Sequence, residues 1–250
     1  MPGQLQSHVF KVVTLLLPGV LAGCSIAPQG TDIHDPYEAV NRQVHDFNKD
    51  VDQALLRPLG QGAAQLPVEL RQPIINFSDN AALPGMVLNG LLQGDVAGLT
   101  QNTLRFLLNT TVGIGGLFDP AGAIGIAEQS TDFGETLAVW GVPEGAYVEL
   151  PLLGPSTERD AFGQIVDFVI DPLERWGTRE QLDYGTATYV AEQVIERGVF
   201  GDTVDSLLYD SADSYAQARL FYLQNRRFEL GDVAGTTYVD AYIDPYEDLQ

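Results

Sequence analysis

The 250 residues include 34 acidic and 13 basic side chains, so the formal net charge is −21 at pH 7. A chain of this charge has no basic stripe that could release counterions from phosphates, which excludes nucleic-acid binding. Attraction to anionic lipid headgroups is excluded for the same reason, so any membrane residence must depend on acyl chains and apolar surface. After Cys24, no apolar run is long enough to predict a membrane-spanning helix.

The first 23 residues predict a signal peptide. Two basic side chains precede an apolar run at residues 12–22, and Leu21-Ala22-Gly23-Cys24 matches a bacterial lipobox at each position. Cys24 is the only cysteine, so we expect it to accept the lipid anchor, and no internal disulfide is possible. Ser25 in the following position favours the outer membrane. Residues 24–34 are then a lipidated tether.

The residue types available for chemistry are few. The chain has three histidines, and a Ser-His or Cys-His pair would have to use His34 or His45, because His8 leaves with the signal peptide. Histidine-rich zinc sites, calcium-hand loops and phosphate-binding glycine motifs are absent from the sequence. We therefore predict no metal and no cofactor. The chain is predicted not to be an enzyme, with a carboxylate-dependent hydrolase as the less favoured alternative.

The first helix is predicted to begin at Asp35-Pro36-Tyr37-Glu38, with Asp35 as N-cap and Pro36 at the first helical position. An apolar stripe at three- and four-residue spacing follows, and Pro58 and Gly60 are expected to end the helix. The stripe consists of Tyr37, Val40, Val44, Phe47, Val51 and Leu55.

Three prolines between Leu66 and Gly94 predict a series of short helical pieces rather than one helix. Asn76 and Phe77 lie in one of the expected connections, where bulky apolar residues stand beside a polar turn. One interpretation is a helix end whose aromatic side chain packs inward. The other is a membrane-facing loop, with Asn76 and Phe77 as its contact residues.

The next predicted helix is capped by Asp95 and is apolar over most of its circumference, with Arg105 as the lone charge. Such a helix lies either at the centre of a core or against lipid. The glycine-rich turn at residues 109–126 carries several bulky apolar side chains. We expect this turn to be buried or to dip into a membrane.

The stretch from Asp132 to Tyr147 combines a short helix with a turn. Asp132 and Glu135 form a capping-box pattern, which predicts a helix of barely two turns. We predict that this turn is a hinge, in which two glycines absorb the change in backbone dihedral angles when the turn moves. Two apolar side chains would form the wall of the passage, and one carboxylate would form a solvated or headgroup-facing tip. An ordinary surface hairpin is the alternative. The hinge residues, in order, are Trp140, Gly141, Val142, Pro143, Glu144 and Gly145, with Gly141 and Gly145 as the pivots, Trp140 and Val142 as the wall and Glu144 as the tip.

The rest of the chain is also predicted to be helical. Residues 154–160 predict a helix N-terminus, and a further helix should run to Arg197 and stop at Gly198. A last long helix should cover about 202–229 and end at Gly231. Residues 232–250 hold acids and aromatics without helical period and are expected to be an acidic flexible tail. Only Tyr147–Leu150 predicts a strand. The expected fold class is all-α with little or no β, and the expected folded domain is residues 35–231.

Many of these motifs, in this order, resemble the VacJ-like (MlaA) family of lipoproteins. The resemblance covers roughly Asp35 to Pro172 and includes the lipobox. It is carried by Asp35-Pro36-Tyr37-Glu38, Asn41-Arg42, Phe47-Asn48, Leu91-Leu92-Gln93-Gly94, Arg105-Phe106, Asn109-Thr110, Asp132-Phe133-Gly134, Thr136-Leu137, Trp140-Gly141-Val142, Leu150-Pro151, Gly154-Pro155-Ser156 and Arg159-Asp160.

The resemblance implies a single ring-like bundle of short and amphipathic helices in the inner leaflet of the outer membrane, lipid-anchored on the periplasmic side. Such a protein would take misplaced glycerophospholipids from the outer leaflet through a polar channel and pass them to a soluble periplasmic lipid-binding protein. It would also contact a trimeric porin, and it would do no chemistry. A non-transporting envelope scaffold is the alternative.

The implied channel makes the arginines of the matching motifs candidates for headgroup binding. Arg42, Arg105 and Arg159 are candidate phosphate contacts, because a guanidinium can bind a phosphate through two hydrogen bonds. Each could equally be part of a structural ion pair.

Overall fold

The computed structural model describes residues 33–170 and 179–231. The predicted signal peptide, Cys24 with residues 25–32, and the predicted tail at 232–250 lie outside the described residues. The described chain is helical apart from one hairpin, as the sequence predicted. Its helices are α1 (Glu38–Val51), α2 (Arg57–Ala64), α3 (Val68–Gln93), α4 (Val96–Thr111), α5 (Pro120–Ala123), α6 (Phe133–Val139), α7 (Glu158–Ile170), α8 (Arg179–Val199), α9 (Gly201–Asp205) and α10 (Ser214–Leu230).

The first helix begins and ends differently from the prediction. Tyr37, not Asp35, is the N-cap of α1, because the Asp35 carboxylate instead accepts hydrogen bonds from Tyr215 and Arg219 of α10. Pro58 and Gly60 do not end the helix. A π-helical turn at Asp52–Leu56 leads directly into α2, where Pro58 lies in the first turn and removes no needed donor.

The prolines of the next segment do not divide it. α3 is one 26-residue helix with Pro73 and Pro84 inside it, and it packs along α4 and α8. These tertiary contacts outweigh the local cost of the prolines. Asn76 and Phe77 therefore lie within a helix, and the prediction of a loop at these residues was wrong. Within residues 33–170 and 179–231, no helix is both long and apolar enough to cross a membrane.

The two strands form a small antiparallel hairpin, with β1 (Tyr147–Leu150) paired to β2 (Gly154–Thr157). The prediction of β1 is confirmed, whereas β2 was wrongly assigned to the start of a helix. That helix, α7, begins at Glu158, and Thr157 caps it by accepting the Asp160 amide at 3.2 Å. The single helix expected over 202–229 is also interrupted. Asp213 starts α10 by accepting the Ala216 amide.

Polar side chains are buried and apolar ones exposed along α1. Asn41, His45 and the following Asp52 are buried, whereas Val40 is 61 % exposed and Phe47 is also exposed. The apolar stripe found in the sequence therefore faces outward.

α4 repeats this inversion. Its buried residues are Gly98, Asn102, Arg105 and Asn109, whereas Val96 is 72 % exposed. In the described chain, buried polar and charged residues outnumber buried apolar ones. This is the reverse of the usual distribution in a water-soluble protein.

A compact apolar cluster nevertheless exists where the hairpin meets the last helix. Tyr147 of β1 packs against Tyr215 and Leu223 of α10, with Tyr222 beside them. The Tyr147 and Tyr215 rings meet edge to face with centroids 5.9 Å apart. This cluster fixes the hairpin, and with it the turn that precedes β1, against the C-terminal part of the described chain.

Candidate functional site

The short helix before the turn is fixed by local and tertiary contacts. Asp132 caps α6 by accepting the Glu135 amide at 2.8 Å, so the predicted helix start is confirmed. Thr136, fully buried, donates to Asn89 of α3 at 3.0 Å. A Cβ atom on Gly163 of α7 would lie 2.4 Å from the Gly134 nitrogen. α6 is therefore held at backbone contact with α7 and forms a rigid base for the turn at residues 140–146.

The turn itself is exposed on one side. Trp140 is 52 % exposed and packs edge to face on Phe133, while its indole nitrogen donates to the Leu92 carbonyl at 3.2 Å. Gly141 and Gly145 have φ values of 84° and 78°, a conformation that side-chain-bearing residues rarely adopt. Both predicted pivots thus occupy positions that favour glycine.

The predicted tip of the turn is not solvated. The Glu144 carboxylate accepts two hydrogen bonds from Arg227 of α10, at 2.8 and 3.1 Å, and its side chain is only 21 % exposed. The Glu144 carbonyl also accepts the Arg159 amide at 3.3 Å. The expectation of a free or headgroup-facing tip was therefore wrong, because an arginine far along the chain holds this carboxylate against the last helix.

All three candidate arginines contact carboxylates, but in different surroundings. Arg42 lies at the surface and binds both oxygens of Asp213, at 3.0 and 2.9 Å, as well as Glu38. Arg159 is only 2 % exposed and lies 3.1 Å from Asp160. For both, the structural ion pair is the arrangement present.

A buried ion-pair cluster joins α7, α10 and the N-terminus of α6. Asp160 is contacted by Arg159, by Arg226 and by the Tyr222 hydroxyl at 2.8 Å. Arg226 also donates to Asp132 at 2.7 Å. Burial would raise the pKa of Asp160, but the two guanidinium groups outweigh it and hold that pKa below its ordinary value. We call Asp132, Arg159, Asp160 and Arg226 the Asp160 cluster.

Arg105 differs from the other two because its surroundings remain strongly acidic. It donates to the Ile126 carbonyl at 2.6 Å and lies 3.3 Å from Asp119 and 3.8 Å from Glu128. The residue is only 7 % exposed. Its buried Nε has no hydrogen-bond partner among the described residues, so one donor of this guanidinium is left unused inside the protein.

Carboxylates from three parts of the chain face one another near Arg105, and we call this group the interior carboxylate cluster. The carboxyl groups of Asp79 of α3 and Glu192 of α8 contact each other. The charges of Asp79 and Asp119 also act on Glu128, and the charge of Asp79 acts on Glu196. The cluster consists of Asp79, Asp119, Glu128, Glu192 and Glu196.

The fold opposes full ionisation of this cluster. Burial raises the pKa of Glu192 to about 7, and the neighbouring charges of Asp79 and Glu196 add to the effect. Burial also raises the pKa of Asp79, Glu128 and Glu196. Asp119 is the exception, because the Gly122 amide, Asn109 and Arg105 outweigh its desolvation and lower its pKa. Carboxylates that have shifted pKa values and outnumber the neighbouring cations are typical of functional sites.

Glu192→Gln is expected to stabilise the protein at pH 8 by about 1–2 kcal/mol, with solvent screening allowed for. A raised pKa means that ionised Glu192 destabilises the folded state, so the gain should be full above pH 7 and should vanish as the pH falls below about 4.5. Thermal unfolding at several pH values measures it. Asp50→Asn, at an exposed position of α1, is the control and should change little. A loss of stability in Glu192→Gln at pH 8 would contradict the expectation.

A Ser-His-acid arrangement is also present. His45 Nε2 lies 3.0 Å from Ser214 Oγ, and its Nδ1 lies 3.3 Å from Glu149. Ser214 Oγ also accepts a hydrogen bond from Lys49 at 3.0 Å, and the Tyr147 hydroxyl donates to Glu149. The imidazole is 3 % exposed, and its contacts join α1, β1 and α10. We interpret the group as a buried network that joins these elements.

The glycine-rich segment between α4 and α6 exposes its apolar side chains. Ile124 is 69 % exposed, and Ile114 and Phe118 are exposed as well. The Asn76 amide donates to the Leu117 carbonyl at 3.1 Å, which ties this segment to α3. Burial, one of the two expectations for the segment, was wrong. Contact with a membrane remains a prediction.

Comparison with known proteins identifies the fold and the family. The family model described as MlaA lipoprotein matches residues 33–229. The chain belongs to the MlaA lipoprotein family. The member from Escherichia coli (strain K12), called intermembrane phospholipid transport system lipoprotein MlaA, is 35 % identical over 217 residues, which is 84 % of each chain. An uncharacterised protein of Rickettsia felis is 34 % identical over 190 residues, 75 % of this chain and 74 % of its own length.

A solved structure supports the same assignment. A chain from work on the structural basis for maintenance of bacterial outer membrane lipid asymmetry superimposes with a TM-score of 0.68 at 34 % identity. The match covers 79 % of this chain and 99 % of the other. The helical fold is therefore shared, and the sequence resemblance to this family is confirmed.

Proposed function

We propose that this protein maintains outer-membrane lipid asymmetry by taking mislocalised glycerophospholipids from the outer leaflet through a polar passage. The protein would lie in the inner leaflet, anchored on its periplasmic side, and would pass the lipid to a soluble lipid-binding protein. The observation that carries the proposal is the inverted burial of α1 and α4, with polar groups inside and apolar side chains outside. The names of the relatives, which refer to intermembrane phospholipid transport, agree with it.

The physical problem of such transport is the headgroup. Moving a charged headgroup through hydrocarbon without partners costs several kcal/mol or more. A passage lined by polar groups would lower this cost, while acyl chains could remain against the exposed apolar residues of α1 and α4. Transport by this route needs neither a cofactor nor a covalent step, and we propose none.

The exposed apolar surface also supports contact with the proposed partners. Isolated exposed apolar residues are ordinary, but large contiguous apolar surfaces mark membrane or protein contacts. α1, α4 and the segment with Ile114, Phe118 and Ile124 all carry exposed apolar side chains. We propose that these surfaces meet lipid and a trimeric porin.

The decisive test measures phospholipid in the outer leaflet of cells with the gene, without it, and with it restored. Loss of the gene should raise outer-leaflet phospholipid, and restoration should reverse the change. A protein that is lipidated and binds porin but leaves outer-leaflet phospholipid unchanged would instead be a non-transporting scaffold. Release of fatty acid or glycan by the purified protein would support a hydrolase and contradict the proposal.

Cys24→Ala is expected to prevent lipidation and to remove most of the protein from the outer-membrane fraction, because a lipobox cysteine supplies the anchor. Membrane fractionation and metabolic labelling with palmitate measure the two effects. Ser25→Ala keeps the cysteine and is the matched control. If the Cys24→Ala protein is still labelled and fractionates fully with the outer membrane, the proposed anchor is wrong.

A further inference from the structure

A chain of hydrogen bonds runs through the interior from α3 to α7 and passes through α6. Gln93 of α3 donates to the Thr136 hydroxyl at 2.9 Å, and Thr136 of α6 donates to the Asn89 side-chain oxygen at 3.0 Å. The Asn89 amide group then donates to Asp167 of α7 at 2.9 Å. Thr136 and Asn89 are 0 % and 2 % exposed, so solvent does not compete for the bonds between them.

Asp167 also binds the start of α6. Its second carboxylate oxygen accepts the Phe133 amide at 2.9 Å, so one side chain of α7 holds both α3 and the first residue of α6. Both of these partners are donors, and a carboxylate accepts from two donors without offering a proton. Because Asp167 takes the Asn89 amide group, the Asn89 oxygen must face Thr136, and the direction of the whole chain is fixed.

The turn at residues 140–146 is attached to the same end of α3. The Trp140 indole nitrogen donates to the Leu92 carbonyl at 3.2 Å, and Leu92 is the neighbour of Gln93 in α3. The Trp140 ring also packs on Phe133 at the start of α6. A shift of α6 relative to α3 would therefore move Trp140, the first residue of the turn.

α6 does not need Asp167 in order to form. Asp132 caps the helix locally by accepting the Glu135 amide. Asp167, in contrast, lies 34 and 78 positions along the chain from the two groups that it binds. Its contacts join three helices, so they determine where α6 lies rather than whether it is helical.

We infer that Asp167 is a positioning residue for the turn. Through Phe133, and through the bond between Asn89 and Thr136, it sets the place of α6 and with it the conformations that the turn can take. This role rests on the proposed function and adds a residue that regulates lipid passage from outside the turn. Asp167→Asn should release α6, because asparagine offers one acceptor oxygen and its amide group would face a donor.

Asp167→Asn is expected to increase amide hydrogen exchange in α6 about tenfold, the effect of one buried hydrogen bond. Exchange of the purified full-length lipoprotein followed by mass spectrometry measures it, with α4 as the internal reference. Thr136→Val breaks the same chain without touching the carboxylate and should have the same effect. Thr136→Ser keeps the hydroxyl and should exchange like the wild type.

The fluorescence of Trp140 reports on the turn directly. The chain has two tryptophans, and Trp176 lies outside the described residues, so the measurement uses a Trp176→Phe background. Trp140 emission should shift to the red when α6 is released, because the indole loses its contacts with Phe133 and Leu92. A residue that only stabilised the fold would leave this spectrum unchanged below the melting transition.

The link to transport is measured as outer-leaflet phospholipid in cells. Asp167→Asn and Thr136→Val should raise it at least about twofold, because the turn is no longer held where it admits lipid. Thr103→Val is the matched control, since the Thr103 hydroxyl donates to the Leu99 carbonyl of its own helix, α4. It should leave exchange in α6, Trp140 emission and outer-leaflet phospholipid unchanged.

Several outcomes would overturn the inference. Unchanged exchange in α6 and unchanged Trp140 emission in Asp167→Asn would show that this carboxylate does not position the helix, while lipid transport would stand. Faster exchange with normal outer-leaflet phospholipid would separate α6 from lipid passage, and Thr136→Ser behaving like Thr136→Val would remove the role of the hydrogen bond. Normal outer-leaflet phospholipid in cells without the gene would be a failure of the proposed function instead.

Discussion

Asp160→Asn is expected to lower the free energy of unfolding by about 3–5 kcal/mol, because it leaves the buried Arg159 without its counter-charge and removes one of the carboxylate partners of Arg226. Asp160 is 4 % exposed and contacts Arg159 and Arg226, and neither guanidinium can lose its proton to relieve the strain. The loss should exceed that of any single exposed carboxylate, for which about 0–1 kcal/mol is usual. Urea unfolding followed by circular dichroism measures it.

The same substitution should change how stability depends on pH. The pKa of Asp160 is lowered in the folded protein, so its contribution is present above its unfolded pKa of about 3.9 and is lost as the pH falls through the folded value. The asparagine variant should therefore lose less stability than the wild type on acidification. Asp50→Asn, at an exposed position, is the control for the loss of one negative charge. A difference under about 1 kcal/mol at neutral pH would show that the Asp160 cluster is not important for stability.

The sequence predicts those elements whose determinants are local. The capping-box aspartate of α6, the aspartate that caps α4, the strand Tyr147–Leu150 and the ending at Gly231 were all predicted, and the structure confirms them. In each case the deciding residue lies within a few positions of the element. Side-chain caps and left-handed glycines act over that range.

Features that depend on distant residues were missed. Gly60 and Gly198 were both interpreted as helix ends, but their role is tertiary. A Cβ atom on Gly198 would lie 2.0 Å from the Gly60 carbonyl oxygen, so α2 and α8 cross at backbone contact. Nothing in the sequence around either glycine indicates the other. The prolines of α3 were wrongly predicted to divide it for a related reason, because packing against α4 and α8 keeps α3 a single helix.

The candidate site shows the same division. Arg105 was selected through the motifs that match the family, and it also stands out as the lone charge on an apolar helix. The structure shows that this charge is buried. Glu192 and Asp79 carry no local signal, since each is one of 34 acidic residues and their meeting requires α3 and α8 to pack. The Glu144–Arg227 pair is 83 positions apart in sequence. A search for acids and arginines at inward-facing positions of the outward-apolar helices would have found part of the cluster.

Stiffening the turn after α6 is the change we expect to affect lipid passage most. The turn lies between two fixed parts, α6 on one side and the β1–β2 hairpin on the other. Gly141, its predicted pivot, is exposed and has a positive φ. A Cβ atom at Gly141 meets nothing within 4 Å, whereas one at Gly145 would lie 2.8 Å from the Glu158 Cβ. Gly141 therefore tests conformation with no clash, and Gly145 does not.

Gly141→Val should restrict the turn by forcing a β-branched residue toward negative φ, at a strain of about 1–3 kcal/mol in the native conformation. We expect outer-leaflet phospholipid to rise at least about twofold over wild-type cells, because the turn can no longer take the conformations that admit lipid. Gly94→Val is the matched control. Gly94 has a φ of 74° and open space around it, so it carries similar strain outside the turn.

Variants of the Glu144–Arg227 ion pair can show whether the conformation of the turn controls lipid passage or whether the variants only destabilise the protein. Glu144→Gln and Arg227→Gln each break the contact that holds the turn to α10, and the double variant should behave like either single one, since all three remove the same interaction. We expect these variants to change outer-leaflet phospholipid, whereas Gly94→Val should leave it normal at an equal loss of thermal stability. If the clearance of outer-leaflet phospholipid follows the melting temperature across the two glycine variants, the two ion-pair variants and the double variant, the turn is an ordinary hairpin. Lipid passage is then controlled elsewhere in the fold.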